Sequence, residues 1–226
     1  MASNMYAGTE DGKIIKFSGF TNTVTSSLAI ASTAIHWDGT NVWWALNANP
    51  ILFKQGSGFS TTVTSSFAYS DTAATCYDMH YDAVNSLLIW ADGTTKIRRQ
   101  TGFSATVNSS ITTVLTGCRG VTWDGTNLYA SDGGTAERIN KYSGFSTTVL
   151  SSLVFGALTS YKGLTWDGTN IYWVNNNTNL RVVKAVGFST TVGSSFSVTG
   201  RSIDGLDWGT DAGGGAVPNY NFFAFM

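Results

Sequence analysis

The stretch "YKGLTWDGTNIYWVNNNTNLRVVKAVGFSTTVGSSF", Tyr161 to Phe196, holds the pattern that decides the fold. Its first apolar run, "GLTW", alternates large and small residues and stops at "DGTN". "IYWV" follows, β-branched and aromatic, and stops at the polar "NNNTN". Then come "LRVVKAV", a break at Gly187, and "STTVGSSF". Short apolar runs separated by turn residues read as strands, so this stretch predicts a four-stranded antiparallel meander. The Asp-Gly pair supplies the left-handed conformations that a tight hairpin needs.

Near-copies recur along the chain: "GFTNTVTSSL" at Gly19, "GFSTTVTSSF" at Gly58, "GFSATVNSSI" at Gly102 and "GFSTTVLSSL" at Gly144. A fixed period of about 40 residues marks a repeat architecture. First strands end at Trp37, Tyr81, Trp123, Trp166 and Trp208, and two residues earlier stand Ile35, Met79, Val121, Leu164 and Leu206. The residues between are slight or polar, such as Gly120 and Thr122. A strand with one bulky and one slight face suits a sheet covered on both sides. That is the pattern of an all-β propeller.

The chain ends set the number of blades. "MYAG", "KIIKF" and "TNTVTSSL" fill the second to fourth slots with no first strand before them, and "SIDGLDW" near the C-terminus is a first strand without a second. The expectation is a single five-bladed β-propeller of four-stranded antiparallel blades over residues 1–208. One blade is closed by the N- and C-terminal strands, which leaves no sheet edge open at the join. Residues 209–226 form a Gly-rich linker and an aromatic C-terminal tail.

"GLTWDGTNIYW" followed by "LRVVKAVGF" resembles the repeats of YWTD and NHL-type propellers. The "WDGTN…GFSTTV" wording is similar to repeat proteins of tailed bacteriophages, where such domains serve as virion parts. That resemblance implies a non-enzymatic structural or adhesion module, made in the host cytoplasm, whose partners are other virion proteins or further copies of itself. Five-bladed propellers also occur among sugar-binding lectins, which implies the alternative of a host-surface glycan as ligand.

Composition narrows the classes. Charged residues make up 12%, about half the usual share of roughly 25%. The formal net charge is -1 with no basic block, so phosphate neutralisation, and with it nucleic-acid binding, has no support. No charged n-region followed by an apolar run opens the chain, so no secretion signal is expected, and no run is long enough for a membrane span. Two cysteines make no disulfide framework.

Several residues bear on chemistry. Lys16, Arg99, Lys141 and Lys184 each stand three positions before a Gly-Phe pair, and Lys54 reads as the same slot after a one-residue insertion. They form either a ring for an anionic partner or long side chains laid over apolar neighbours. Trp44, Trp90 and Tyr172 are the candidates for stacking on sugar. His36 with His80, and Cys76 with Cys118, share repeat positions but lack metal-ligand spacing, so no metal or other cofactor is expected. The Asp residues of the hairpin turns, Asp38, Asp82, Asp124 and Asp167, read as turn caps. Outside the repeat pattern stand Glu10, Glu137, Asp71, Asp78, Asp204 and Asp207, and no nucleophile elbow or P-loop accompanies them, so no enzyme activity is expected. Tyr220, Phe222, Phe223, Phe225 and Met226 crowd the tail and either fold back onto the propeller or form a docking segment, since aromatics and Met are enriched in interface cores.

Overall fold

The computed structural model describes residues 3–71, 74–134, 138–155, 161–175, 180–198 and 202–210. The chain forms five four-stranded antiparallel sheets. The first holds β1 (Ser3–Thr9), β2 (Lys13–Phe17) and β3 (Val24–Ala29), with β20 (Ile203–Thr210) as its innermost strand. The second runs β4 (Ala34–Trp37), β5 (Val42–Leu46), β6 (Ile51–Gly56) and β7 (Val63–Tyr69). The third has β8 (Asp78–Asp82), β9 (Leu87–Ala91), β10 (Lys96–Thr101) and β11 (Val107–Thr112). The fourth has β12 (Cys118–Trp123), β13 (Leu128–Asp132), β14 (Arg138–Tyr142) and β15 (Val149–Val154). The fifth has β16 (Tyr161–Trp166), β17 (Ile171–Asn175), β18 (Arg181–Ala185) and β19 (Val192–Ser197).

Turn chemistry explains the spacing. Gly39, Gly125 and Gly168 take φ near 90° in the Asp-Gly hairpins, a region closed to most side chains. The third blade has no glycine there, and Ser86 takes the left-handed conformation instead, at φ 51°. The glycine of every Gly-Phe pair also has positive φ, which turns the third strand into the fourth.

The join is as the sequence implies. β20 pairs antiparallel with β1 from Ser3↔Thr210 to Thr9↔Ile203. Its ladder runs two residues past Trp208, so Gly209 and Thr210 belong to the sheet and not to the linker.

The apolar core lies between blades. One cluster joins Met5, Ile15 and Phe17 of the first blade to Tyr172, Val174 and Val182 of the fifth. Another joins Trp43 and Phe53 of the second to Met79, Leu88 and Trp90 of the third. Four of the five junctions repeat one aromatic clasp. Trp37 stacks on Tyr6 at 5.1 Å, Tyr81 on Trp43 at 4.3 Å, Trp166 on Tyr129 at 5.4 Å and Trp208 on Tyr172 at 5.0 Å. The phenylalanine of the Gly-Phe pair packs on the same ring: Phe59 on Tyr6, Phe103 on Trp43, Phe188 on Tyr129 and Phe20 on Tyr172. Ile89 replaces the aromatic in the third blade, and Trp123 and Phe145 pack on the cluster that contains it. The recurring "GF" thus fastens each blade to its predecessor.

These phenylalanines are half-buried. Phe103→Ala is therefore expected to cost about 2–3 kcal/mol, below the roughly 3–5 of a fully buried ring. Ser151→Ala, on an exposed outer strand, should stay within about 0.5 kcal/mol. Equal costs in urea titrations would mean that the phenylalanine does not fasten the junction.

The central valine of "STTV" reads as packing inward, yet Val24, Val63, Val149 and Val192 are 45%, 43%, 37% and 46% exposed. The outer strand is the last in its sheet, with no neighbouring blade over it, so only its later Leu, Phe or Ile meets apolar neighbours.

Candidate functional site

The two faces of the ring differ in chemistry. One face carries the hairpin turns between first and second strands, and these repeat. Asp38 Oδ1 accepts the N–H groups of Thr40 and Asn41 at 2.8 and 2.6 Å. Asp124 does the same for Thr126 and Asn127, and Asp167 for Thr169 and Asn170. The other carboxylate oxygen takes Trp43 Nε1–H at 2.8 Å, the Tyr129 hydroxyl at 2.7 Å or the Tyr172 hydroxyl. Burial pulls the Asp124 and Asp167 carboxyls upward, but the tyrosine and turn donors outweigh it and hold them below the usual range. Burial and the same aspartates push both tyrosines far up. These aspartates are turn caps, as expected, and each also fixes the ring on which the next blade stacks.

The basic ring also belongs to these junctions. Lys16, Lys141 and Lys184 lie 5.9, 5.4 and 5.5 Å over Tyr6, Tyr129 and Tyr172, and Arg99 lies 4.6 Å over Phe145. Lys54 is not in this slot. It pairs with Trp44, while Gln55 pairs with Trp43 and fills the ring position. No insertion separates Gln55 from Gly58, so the three-residue spacing itself selects the glutamine. Four half-buried cations laid on rings are the snorkelling arrangement.

The three candidate sugar platforms are buried: Trp44 is 2% exposed, Trp90 and Tyr172 0%. Tyr172 is covered by Trp208 and Phe20, and Trp90 lies against Phe53 and Tyr69 with Arg98 above it. No face of these rings is offered to a saccharide. Tyr220, Phe222, Phe223, Phe225 and Met226 lie outside the described residues, as does Glu137.

Along the axis the first strands β4, β8, β12, β16 and β20 lie side by side. One residue before each terminal aromatic stand His36, His80, Thr122, Thr165 and Asp207. Asp207 accepts the Trp37 N–H at 2.6 Å and the Thr165 hydroxyl at 3.0 Å, and lies 3.0 Å from His36 Nδ1. Burial raises its carboxyl, but His36, His80 and the Trp37 N–H together hold it low. Asp78 Oδ2 accepts N–H groups of Val121 and Leu164 at 3.0 and 2.8 Å, so one side chain ties three first strands together. Burial pushes its carboxyl well up against those donors. Among the described residues, no group of three His, Cys, Asp or Glu side chains is placed to hold a metal. Cys76 and Cys118 are buried free thiols.

The opposite face, where first strands begin and second strands end, follows no repeat. Four residues before each terminal aromatic stand Thr33, Tyr77, Arg119, Lys162 and Asp204, one per blade around the mouth of the axis. The ladders slip at the mouth in three blades, between Cys118 and Gly120, between Lys162 and Leu164, and beside Asp204. Such bulges re-aim side chains. Lys162 Nζ lies 2.7 Å from Glu10 and 2.5 Å from Asp204. The Lys162 hydrogen bond holds the Glu10 carboxyl low, while burial raises that of Asp204 against the same lysine. Asn47 donates to Thr33 Oγ1 at 2.6 Å and accepts the Cys76 N–H at 2.9 Å. A shallow cleft of about 170 Å³ opens here, lined by Thr9, Glu10, Ala31, Ser32, Thr33 and Asn47. Further out, Arg98 bonds Asp71 at 2.8 Å, Asp92 at 3.2 Å and the Tyr69 hydroxyl at 2.6 Å. Of the acids outside the repeat pattern, Glu10 and Asp204 thus meet at the mouth, Asp71 lies on its rim, and Asp78 and Asp207 lie within the axis. The sequence signal for the mouth was present, as the one position that takes a different polar residue in every copy. It was obscured because repeats draw the eye to what recurs.

No protein-family model matches the sequence, and no curated protein matches it. Solved structures similar in fold include the following two. A protein of unknown function from Bacteroides caccae superposes with a TM-score of 0.64 at 9% identity, over 92% of this chain and 99% of that one. A chain of the mitotic checkpoint complex superposes with a TM-score of 0.54 at 15% identity, over 73% of this chain and 51% of that one. At such identities the likeness is one of fold.

Proposed function

We propose that the chain is a non-enzymatic structural and adhesion module, a rigid ring that docks into a larger assembly and offers one face for attachment. The observation behind this reading is the contrast between the faces. Turn caps and cation-covered rings repeat on one side and are consumed by blade stacking. The single-copy charged and amide side chains gather on the other. A ring closed through its own termini holds such a face rigid, which lowers the ordering cost of binding. Its "WDGTN…GFSTTV" wording, similar to that of tailed-phage repeat proteins, favours a virion as the assembly. The partners are then other virion proteins or further copies of the chain.

The test uses the C-terminal aromatics as the docking segment. Deleting residues 212–226 is expected to leave the melting temperature nearly unchanged and to remove the chain from purified particles, read by mass spectrometry. Retention in particles with a loss of melting temperature would assign the tail to the ring itself. A full-length chain absent from all particles would overturn the virion assignment.

The lectin reading keeps one supporting observation, the cleft lined by Glu10, Ser32, Thr33 and Asn47. These are hydroxyl, amide and carboxylate groups of the kind that bind sugar hydroxyls.

A further inference from the structure

We infer that the axial mouth binds a saccharide carboxylate, with Arg119 as the anion-binding residue and Tyr77 as its platform. The inference deepens the attachment reading by naming a ligand class. The described carboxylates nearest the mouth are engaged: Glu10 and Asp204 both hold Lys162, and Asp132 accepts the N–H groups of Gly117 and Gly134. Arg119 is different. It lies in the mouth ring, close enough to Asp204 to act on its titration, yet among the described residues no carboxylate forms an ion pair with it. Its guanidinium instead lies 4.8 Å over the Tyr77 ring.

The placement is built. The β12 ladder skips Arg119, whose neighbours Cys118 and Gly120 pair with Asp132 and Ser131. The residue after each second strand is Glu10 in the first blade and Asn47 in the second, but Gly93 and Gly133 stand close behind the second strands of the third and fourth. A Cβ at Gly133 would come within 2.2 Å of Arg119 Cδ, and one at Gly93 within 2.2 Å of Tyr77 Cε2. The two glycines therefore make the floor on which the Arg–Tyr pair lies. A guanidinium held flat keeps its fork of N–H donors for a planar anion, and it matches a carboxylate with two parallel hydrogen bonds. The cleft on the first and second blades of the same face adds the Ser32 and Thr33 hydroxyl oxygens and the Asn47 amide, which keep acceptor capacity for sugar hydroxyls beyond their own bonds. Neutral sugars would leave Arg119 without an acceptor, so the ligand class is an acidic saccharide, a hexuronate or a sialic acid.

The experiment is titration calorimetry of the full chain with methyl glucuronide, the methyl glycoside of N-acetylneuraminic acid, and methyl glucoside as the neutral counterpart. Binding of at least one acidic glycoside at millimolar concentration is expected, and which one responds separates uronate from sialate. Arg119→Gln should weaken it about tenfold or more, as expected for a lost charge-assisted pair. Gly133→Ala, which displaces Arg119 without removing it, should also weaken binding, whereas Lys141→Gln on the opposite face should not. Equal affinity for the neutral glycoside, no binding of either acid, or an Arg119→Gln protein that binds as well at unchanged melting temperature would each overturn the site. Particle incorporation of the Arg119→Gln chain is scored separately. A chain that assembles but binds no acid sugar defeats only this inference, and one that binds sugar but joins no particle defeats only the virion assignment.

Discussion

Removing residues 1–18 is expected to abolish cooperative melting. The deletion takes away β1 and β2, and with them the partners of both β20 and β3. It also removes Met5, Tyr6, Ile14, Ile15 and Phe17, all buried. At about 1.5–3 kcal/mol for each buried side chain, the loss is on the order of 10 kcal/mol. A domain of this kind has roughly 5–15 kcal/mol in total, so the ring does not survive. The damage reaches both neighbours, because Tyr6 carries Trp37 and Phe59 of the second blade while Phe17 packs on Phe196 of the fifth. The freed edge of β20 then offers a template for aggregation. The measurement is calorimetric melting with light scattering. A truncated chain that melts in one transition at the original temperature would show that the terminal strands do not close the ring.

The ring was legible because its determinants are local and repeated. Asp-Gly turns, alternating first strands and the Gly-Phe step each state the same geometry several times, so an error in one copy is corrected by the others. The incomplete blade was legible for the same reason, since "SIDGLDW" has the form of a first strand and lacks only its partner. Burial was harder to read. A tryptophan in a strand is apolar whether a blade covers it or not, so Trp44, Trp90 and Tyr172 gave no sign of their burial between blades. The exposed valines err in the opposite direction. "STTV" alternates like a half-buried strand, but an outermost strand has no neighbouring sheet to bury it. Lys54 shows the hazard of seeking symmetry. The slot takes glutamine, and a basic residue nearby invited an insertion that the spacing does not contain.

The mouth was legible as a handful of unusual acids and as one repeat position that varies from blade to blade. Nothing in the spacing brings Glu10 to Lys162, because their contact depends on the first and last blades meeting at the join. Arg119 was passed over for a similar reason. A lone arginine has no motif, and its character comes from Tyr77, Gly93 and Gly133, none of them its neighbour in sequence.

In the axis, His80 contributes a loss of stability in mild acid. Burial lowers its pKa to about 4, with help from the neighbouring His36 and against the pull of Asp207, Asp82 and Asp124. The unfolded chain takes up a proton near pH 6.5, and the folded chain refuses it until about pH 4. Between those values the unfolded state binds more protons, so stability falls as pH is lowered through the window. The full shift corresponds to about 3–4 kcal/mol at roughly 1.4 kcal/mol per unit. Asp78 works the other way. Its raised carboxyl favours the protonated folded state, so its contribution improves as pH falls. Carboxyls held low, such as Asp207 and Asp167, lose their contribution only below the ordinary carboxylate range. The histidine contribution is therefore isolated by difference. Two other blades carry threonine at this position, Thr122 and Thr165, which makes His80→Thr the substitution best matched to the ring. Urea titrations from pH 7 to 4.5 should show the natural chain losing about 2 kcal/mol more than His80→Thr over that span. Parallel profiles for the two proteins would mean that His80 accepts its proton as readily in the ring as in the unfolded chain, and the polar axis would then be open to water.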